Sequence, residues 1–172
     1  MIIFVVDITL GLCQIKVGAA SPSGDMPANM TKIGKTYKDT AKISQDAADV
    51  TEHFEEGMAA PEVRKKSKKI PKATFSLMDA DPQMLADYVG GTAVEVNDKK
   101  VWGFNGDEPV ANKAVFIETE QGLDFEIPNG DIDAVINADM SAKGIFLVDF
   151  TVTPMAVAAG KKAIRGVPKS DE

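Results

Sequence analysis

From Ala73 to Pro154 the chain is a succession of short segments in which apolar and polar residues alternate, separated by turn signals. A period of two puts successive side chains on opposite faces of an extended strand, so the pattern calls for sheets with one buried face. The longest segment, Ile145–Thr153, sets Phe146, Val148, Phe150 and Val152 on one side. Asp149, Thr151 and Thr153 take the other side, along with Ile145 and Leu147. Ala73–Leu77 alternates in the same way. Thr92–Val96 and Val101–Phe104 flank a turn at Asn97-Asp98-Lys99-Lys100, and Lys113–Thr119 and Leu123–Ile127 flank Glu120-Gln121-Gly122. Pro128-Asn129-Gly130-Asp131 is expected to be a tight turn between Ile127 and Ile132, because Asn-Gly suits the positive φ of such turns. Met1–Leu12, rich in Ile and Val, reads as a buried strand.

One segment breaks the period. Asp81 is placed to cap a helix with Pro82 in its first turn, Met84, Leu85 and Tyr88 form a stripe, and Gly90-Gly91 supplies the stop. The spacing predicts one short helix, about 82–89. Many strands with a single helix give a mainly β fold: an antiparallel β-sandwich or barrel with one short flanking α-helix and a long charged loop. Residues 1–155 are expected to form a single domain whose loop or arm covers about 21–70. Within it, 21–35 read as loop, and residues 156–172 read as a frayed tail.

Composition narrows the function. With 172 residues the chain can bury a core without staples, and its one cysteine, Cys13, cannot form an intrachain disulfide. One cysteine and one histidine, His53, exclude a His/Cys zinc site within the chain, and any Ser-His or Cys-His nucleophile pair would have to use that histidine. His53-Phe54-Glu55-Glu56 lacks the spacing that sets two imidazoles on one helix face, and no glycine pattern forms a phosphate cradle. Asp79-Ala80-Asp81 and Asp131-Ile132-Asp133 resemble calcium-binding pairs but do not continue into an EF-hand loop. Trp102 sits in an alternating strand, as a core or interface residue would. No catalytic, metal or cofactor site is expected, and the chain is read as no enzyme. No apolar span approaches the roughly 20 residues of a transmembrane helix. The balance of 26 acidic against 19 basic residues, a net charge of −7, argues against a protein that wraps nucleic acid.

Charge is distributed unevenly. Gln45–Gly57 holds Asp46, Asp49, Glu52, Glu55 and Glu56 with no basic residue, and Arg64, Lys65, Lys66, Lys68 and Lys69 follow. An acidic arm followed by a basic arm suggests a long hairpin or extended loop whose charges pair across it or between subunits. Glu52, Glu55, Glu56, Arg64, Lys65, Lys66, Lys68 and Lys69 are the candidate inter-subunit residues. From Ala114 to Ala142 the chain has seven acidic residues and no Lys or Arg. There Asp124 and Glu126 alternate with Leu123, Phe125 and Ile127, and Asp131 and Asp133 alternate with Ile132, Ala134 and Ile136. Two paired antiparallel strands would gather four carboxylates on one unopposed face. Like charges on neighbouring strands cost stability, so such a face suits steering or repelling an anion.

The order of elements resembles the major tail tube proteins of long-tailed bacteriophages. Pro71–Leu77 runs into Asp79-Ala80-Asp81-Pro82 and a short helix ending in Val89-Gly90-Gly91-Thr92. Val101-Trp102-Gly103-Phe104, Lys113–Thr119, Gly122–Gly130 and the closing strand Ile145–Thr153 with Pro154 follow. The resemblance covers residues 71–155 and rests on element order. It implies a β-barrel or sandwich with one flanking helix, a fold shared with the type VI secretion tube protein. It also implies hexameric rings stacked into a hollow channel for DNA passage, with Asp124, Glu126, Asp131 and Asp133 as candidate lumen-facing groups. The implied partners are further copies of the chain and tail tip, initiator and terminator proteins. DNA would pass without specific binding, and no membrane is involved. The implied location is the virion tail, after synthesis in the bacterial host cytoplasm. A tube subunit of a secretion or injection apparatus, and a non-catalytic β-sandwich binding module, are the alternatives.

Overall fold

The structure, a computed structural model, describes residues 8–169. In chain order its elements are β1 (Leu10–Ala19), β2 (Met30–Lys32), β3 (Lys42–Ser44), β4 (Asp49–His53), β5 (Val63–Ser67) and β6 (Lys72–Leu77). A helical segment follows, α1 (Pro82–Met84) continued by a π-wound turn (Leu85–Val89). Then come β7 (Thr92–Val96), β8 (Lys99–Gly103), β9 (Asn112–Gln121), β10 (Leu123–Ala138), β11 (Phe146–Pro154) and β12 (Arg165–Pro168). The fold is mainly β, with antiparallel sheets and one short helix, as the alternation requires.

The helix forms where the residues call for it. Asp81 Oδ1 accepts from Met84 N–H at 2.8 Å, Pro82 opens the first turn, and Gly90, at φ 116°, ends it by donating to Leu85 O at 2.9 Å. The β7–β8 turn is tighter than expected. Asn97 and Asp98, at φ 50° and 59°, make it alone, and Lys99 and Lys100 belong to the strand.

One 8-stranded sheet carries the core: seven strands in the order β2-β1-β9-β10-β11-β6-β3, with β12 joining off this path at β10. β9 lines one edge of β10 from Phe125 to Asp131. The other edge pairs with β12 at Leu123–Glu126 and with β11 from Gly130 onward. The sheet curls, and its halves enclose a single cluster. Ile15, Val115, Ile117 and Ile127 meet Phe75, Leu77, Val148, Phe150 and Val152 there, each side chain of this size contributing about 1.5–3 kcal/mol by burial. Phe75 stacks on Phe150 with centroids 5.2 Å apart, and Tyr88 brings the helical turn edge-on to Phe150 at 5.3 Å.

Two bulges make this curl compatible with the sequence. On β1, Leu12 faces Thr119 and Gln14 faces Glu118, which leaves Cys13 as an extra residue. The side-chain parity flips there, so Leu12 before the bulge and Ile15 and Val17 after it all turn to the core. On β10, Ile127 faces Val115 and Gly130 faces Lys113. This corrects the expected Pro128–Asp131 turn: the segment is a bulge inside one continuous strand. The physical reason is parity. Phe125 and Ile127 must share a face with Ile132 and Ala134, and one extra residue achieves that without reversing the chain. Ile136, expected inside, is 40% exposed near the end of the strand.

Three other expectations change. The loop or arm of 21–70 contains β2 and β3, both members of the main sheet, so the arm proper is the β4–β5 hairpin. The tail forms β12, because Arg165–Pro168 finds an open edge of β10. Of Met1–Leu12, residues 1–7 lie outside the described residues, Ile8 is 76% exposed, and the strand starts at Leu10.

Candidate functional site: an acidic strand and a charged arm

All four candidate carboxylates lie on β10, and the bulge keeps them on its non-core side. Asp124 and Glu126 precede it, and Asp131 and Asp133 follow it. The expected pair of adjacent acidic strands is therefore a single acidic strand, and its charges are spread along the chain axis instead of stacked across a ladder. Because β12 lies against the first half, the two pairs have different surroundings.

Asp124 is built into the structure. Its Oδ1 accepts from Thr119 N–H at 2.8 Å and from Thr119 Oγ1 at 3.1 Å, and Lys169 Nζ lies 3.9 Å away. Glu126 pairs with Arg165 Nη2 at 3.0 Å, directly across the β10–β12 ladder. Glu118 joins the cluster, accepting from Gln14 Nε2 at 2.6 Å with Lys169 Nζ at 3.8 Å. The expectation of an unopposed face fails on this half. The opposing charge arrives from the tail, beyond the stretch free of Lys and Arg. Sequence reasoning missed Arg165 and Lys169. The available signal was a basic run at 161–169 following an acidic one, in a segment whose Val167 favours a strand.

Asp131 and Asp133 are exposed, and among the described residues neither has an ion-pair partner. They face Thr153 and Thr151 of β11, and Thr151 faces Thr74 of β6. Asp149, on the same face, is tied down by Ser76 Oγ at 2.5 Å and Asn137 Nδ2 at 2.9 Å. The result is a polar sheet face of threonines with free carboxylates along one strand. Asp131 is a strand residue, not the expected turn residue. The remaining Asp-x-Asp pair is structural: Asp81 caps the helix, and Asp79 Oδ1 accepts from Lys35 N–H at 2.8 Å.

The charged arm is a two-stranded ribbon, and every residue of β4 and β5 is exposed. Its register puts acid opposite base at one rung, Glu52 against Arg64. Arg64 Nε meets Glu52 Oε1 at 2.6 Å, and Lys69 pairs with Asp49 at the base. The hydrogen bond and charge of Asp49 hold the Lys69 ammonium above its ordinary pKa. Gly57, at φ 83°, turns the tip, where Met58 N–H donates to Glu55 O at 3.0 Å. The structure brings Glu52 and Arg64 together. Glu55, Glu56, Lys65, Lys66 and Lys68 form no ion pair among the described residues. The ribbon thus has an acidic tip and a basic shaft. His53 sits opposite Val63 on this exposed ribbon.

Trp102 joins β8 to the helix end, donating from Nε1 to Gly90 O at 2.7 Å and stacking on Phe104. No group of three or more metal-ligating side chains gathers among the described residues, and no helix among them is long and apolar enough to cross a membrane. Scanned against protein-family models and compared with curated proteins, the chain has no match in either.

Proposed function

We propose that this protein is a structural subunit of a phage tail tube, assembling as stacked hexameric rings around a hollow channel for DNA passage. The observation that carries the reading is the β4–β5 ribbon: it projects from a well-packed sheet with all ten of its strand residues exposed. A lone two-stranded ribbon is marginal in water, so a partner surface stabilises it best, and neighbouring rings offer one. Its acidic tip and basic shaft complement each other between copies.

In this reading Asp131 and Asp133, with the threonine face beside them, line the channel, while Asp124 and Glu126 are held by Arg165 and Lys169. Duplex DNA carries about one negative charge per 1.7 Å of axis, and fixed carboxylates keep such a polymer from adhering to the wall. Negative-stain microscopy of the concentrated protein, alone and with tail tip initiator proteins, tests assembly. Rings or tubes are expected, and a strict monomer under both conditions would count against the reading. Asp131→Lys with Asp133→Lys in a complete phage tests the channel: tails are expected to form and DNA delivery to slow. Unchanged delivery would remove this face from the channel wall.

A further inference from the structure

β12 occupies its edge of β10 on few interactions. It is four residues long, its last three residues are exposed, and it continues a connection that is pinned to the 21–25 loop by the Lys161–Asp25 ion pair at 3.0 Å. Its charged side chains do the holding. Arg165 meets Glu126, and Lys169 reaches Glu118 and Asp124 only at 3.8 and 3.9 Å. The remainder is a short ladder from Leu123–Pro168 to Glu126–Arg165, extended by Lys169 N–H donating to Gly122 O at 3.1 Å, with Ile164 packed against the core just before it. Without β12, Leu123–Glu126 would present unpaired backbone groups flanked by Glu118, Asp124 and Glu126, with no basic residue between Ala114 and Ala142. At the far end of the same sheet, β2 is the terminal strand. β2 is Met30-Thr31-Lys32; its one charged residue, Lys32, sits opposite Lys16 on β1, and no carboxylate lies between Asp25 and Asp39. One molecule therefore carries an acidic four-residue edge under a strap and, at the end of the same sheet, a three-residue strand whose charge is basic.

We propose that the Leu123–Glu126 edge of β10 is a docking edge for β2 of a second copy, and that β12 is a strap covering it in the isolated chain. Head-to-tail pairing of these edges continues the sheet from copy to copy, and a heterologous contact of this kind closes into a ring when the rotation allows. The strap makes the edge unavailable until a neighbour competes for it, which protects a single chain from indiscriminate strand pairing. This rests on the self-assembly reading above and adds its control element.

Two full-length variants, both with Cys13→Ser, test it. In Arg165→Glu/Lys169→Glu the strap loses its charge partners. Amide exchange at Leu123–Glu126 is expected to accelerate about tenfold or more, while Val148–Val152 of β11 stays protected. The concentration at which light scattering detects association is expected to fall about tenfold, because the open form is no longer a minor state. In Glu126→Cys/Arg165→Cys, oxidation locks the strap down. Association is expected to be lost when oxidised and restored by reductant in the same sample. Lys32→Glu, placed in the strap-loosened variant, is expected to cancel its gain. Association of the wild type that is indifferent to loosening and locking would overturn the strap and leave the tube reading standing. Absence of association in every form, with exchange showing the edge open, would overturn both. A strap-loosened gain that survives Lys32→Glu unchanged would overturn β2 as the occupant.

Discussion

The curled sheet and the β4–β5 ribbon are both antiparallel ladders, yet they are held by different forces. In the sheet, β11 alternates cleanly, so Val148, Phe150 and Val152 are at most 1% exposed and pack against Phe75 and Leu77. In the ribbon, β5 reads Val63-Arg64-Lys65-Lys66-Ser67, with no apolar face to bury, and both its strands stay in solvent. The sheet draws on burial, and the ribbon on register, a glycine turn and ion pairs screened by water. Backbone pairing alone therefore says little about stability. What each ladder's side chains are packed against decides it, and the ribbon's natural neighbour is another molecule.

Substitutions measure the difference. The largest effect is expected in the sheet: Phe150→Ala removes the ring between Phe75 and Tyr88 and should cost about 3–5 kcal/mol in denaturant unfolding. Gly130→Ala comes next. A β-carbon there would meet Val152 Cγ1 at 2.7 Å beside the bulge, and a loss of about 1–3 kcal/mol is expected. An unchanged midpoint would mean that the bulge accommodates a side chain and that the curl is softer than its packing indicates.

A third test uses pH. Burial raises the pKa of the Tyr88 phenol, with the Asp87 charge adding to the shift. A folded-state pKa above the unfolded value means that the contribution is complete below about pH 10 and is lost as pH rises through the folded value. Unfolding midpoints are expected to fall with rising pH in that window, and Tyr88→Phe should flatten the fall. The smallest effect belongs to the ribbon. Glu52→Gln breaks the exposed pair with Arg64 and should change stability by no more than about 0.2–1 kcal/mol, vanishing in high salt. Trypsin is expected to cut first near Arg64–Lys69 in the isolated chain. Cleavage in β11 before the ribbon would reverse the contrast.

Fold class was legible in the sequence because alternation is local: the period of two in β11 and β6, the Asp81-Pro82 helix start and the Gly90 stop each act within a few residues. The inward set Phe146, Val148, Phe150 and Val152 could be read from the pleat alone, and the acidic-then-basic order of the arm from the residues themselves, but not the single rung where Glu52 meets Arg64. The bulge at Pro128–Gly130 could not. Asn-Gly suits a turn and an irregular strand equally well, and only the need to present Ile127 and Ile132 to the same core chooses between them. β12 was nearly as hidden, since Arg165–Pro168 offers only Val167 as a strand signal and becomes a strand because β10 offers it an edge. That one pairing also split the acidic strand, pairing Asp124 and Glu126 with basic groups while Asp131 and Asp133 stayed free of ion pairs among the described residues. Residue types and their spacing thus determined which side chains turn inward. Which charges remain unpaired depended on segments about 40 residues apart being brought together, and that is decided only when the sheet closes around its core.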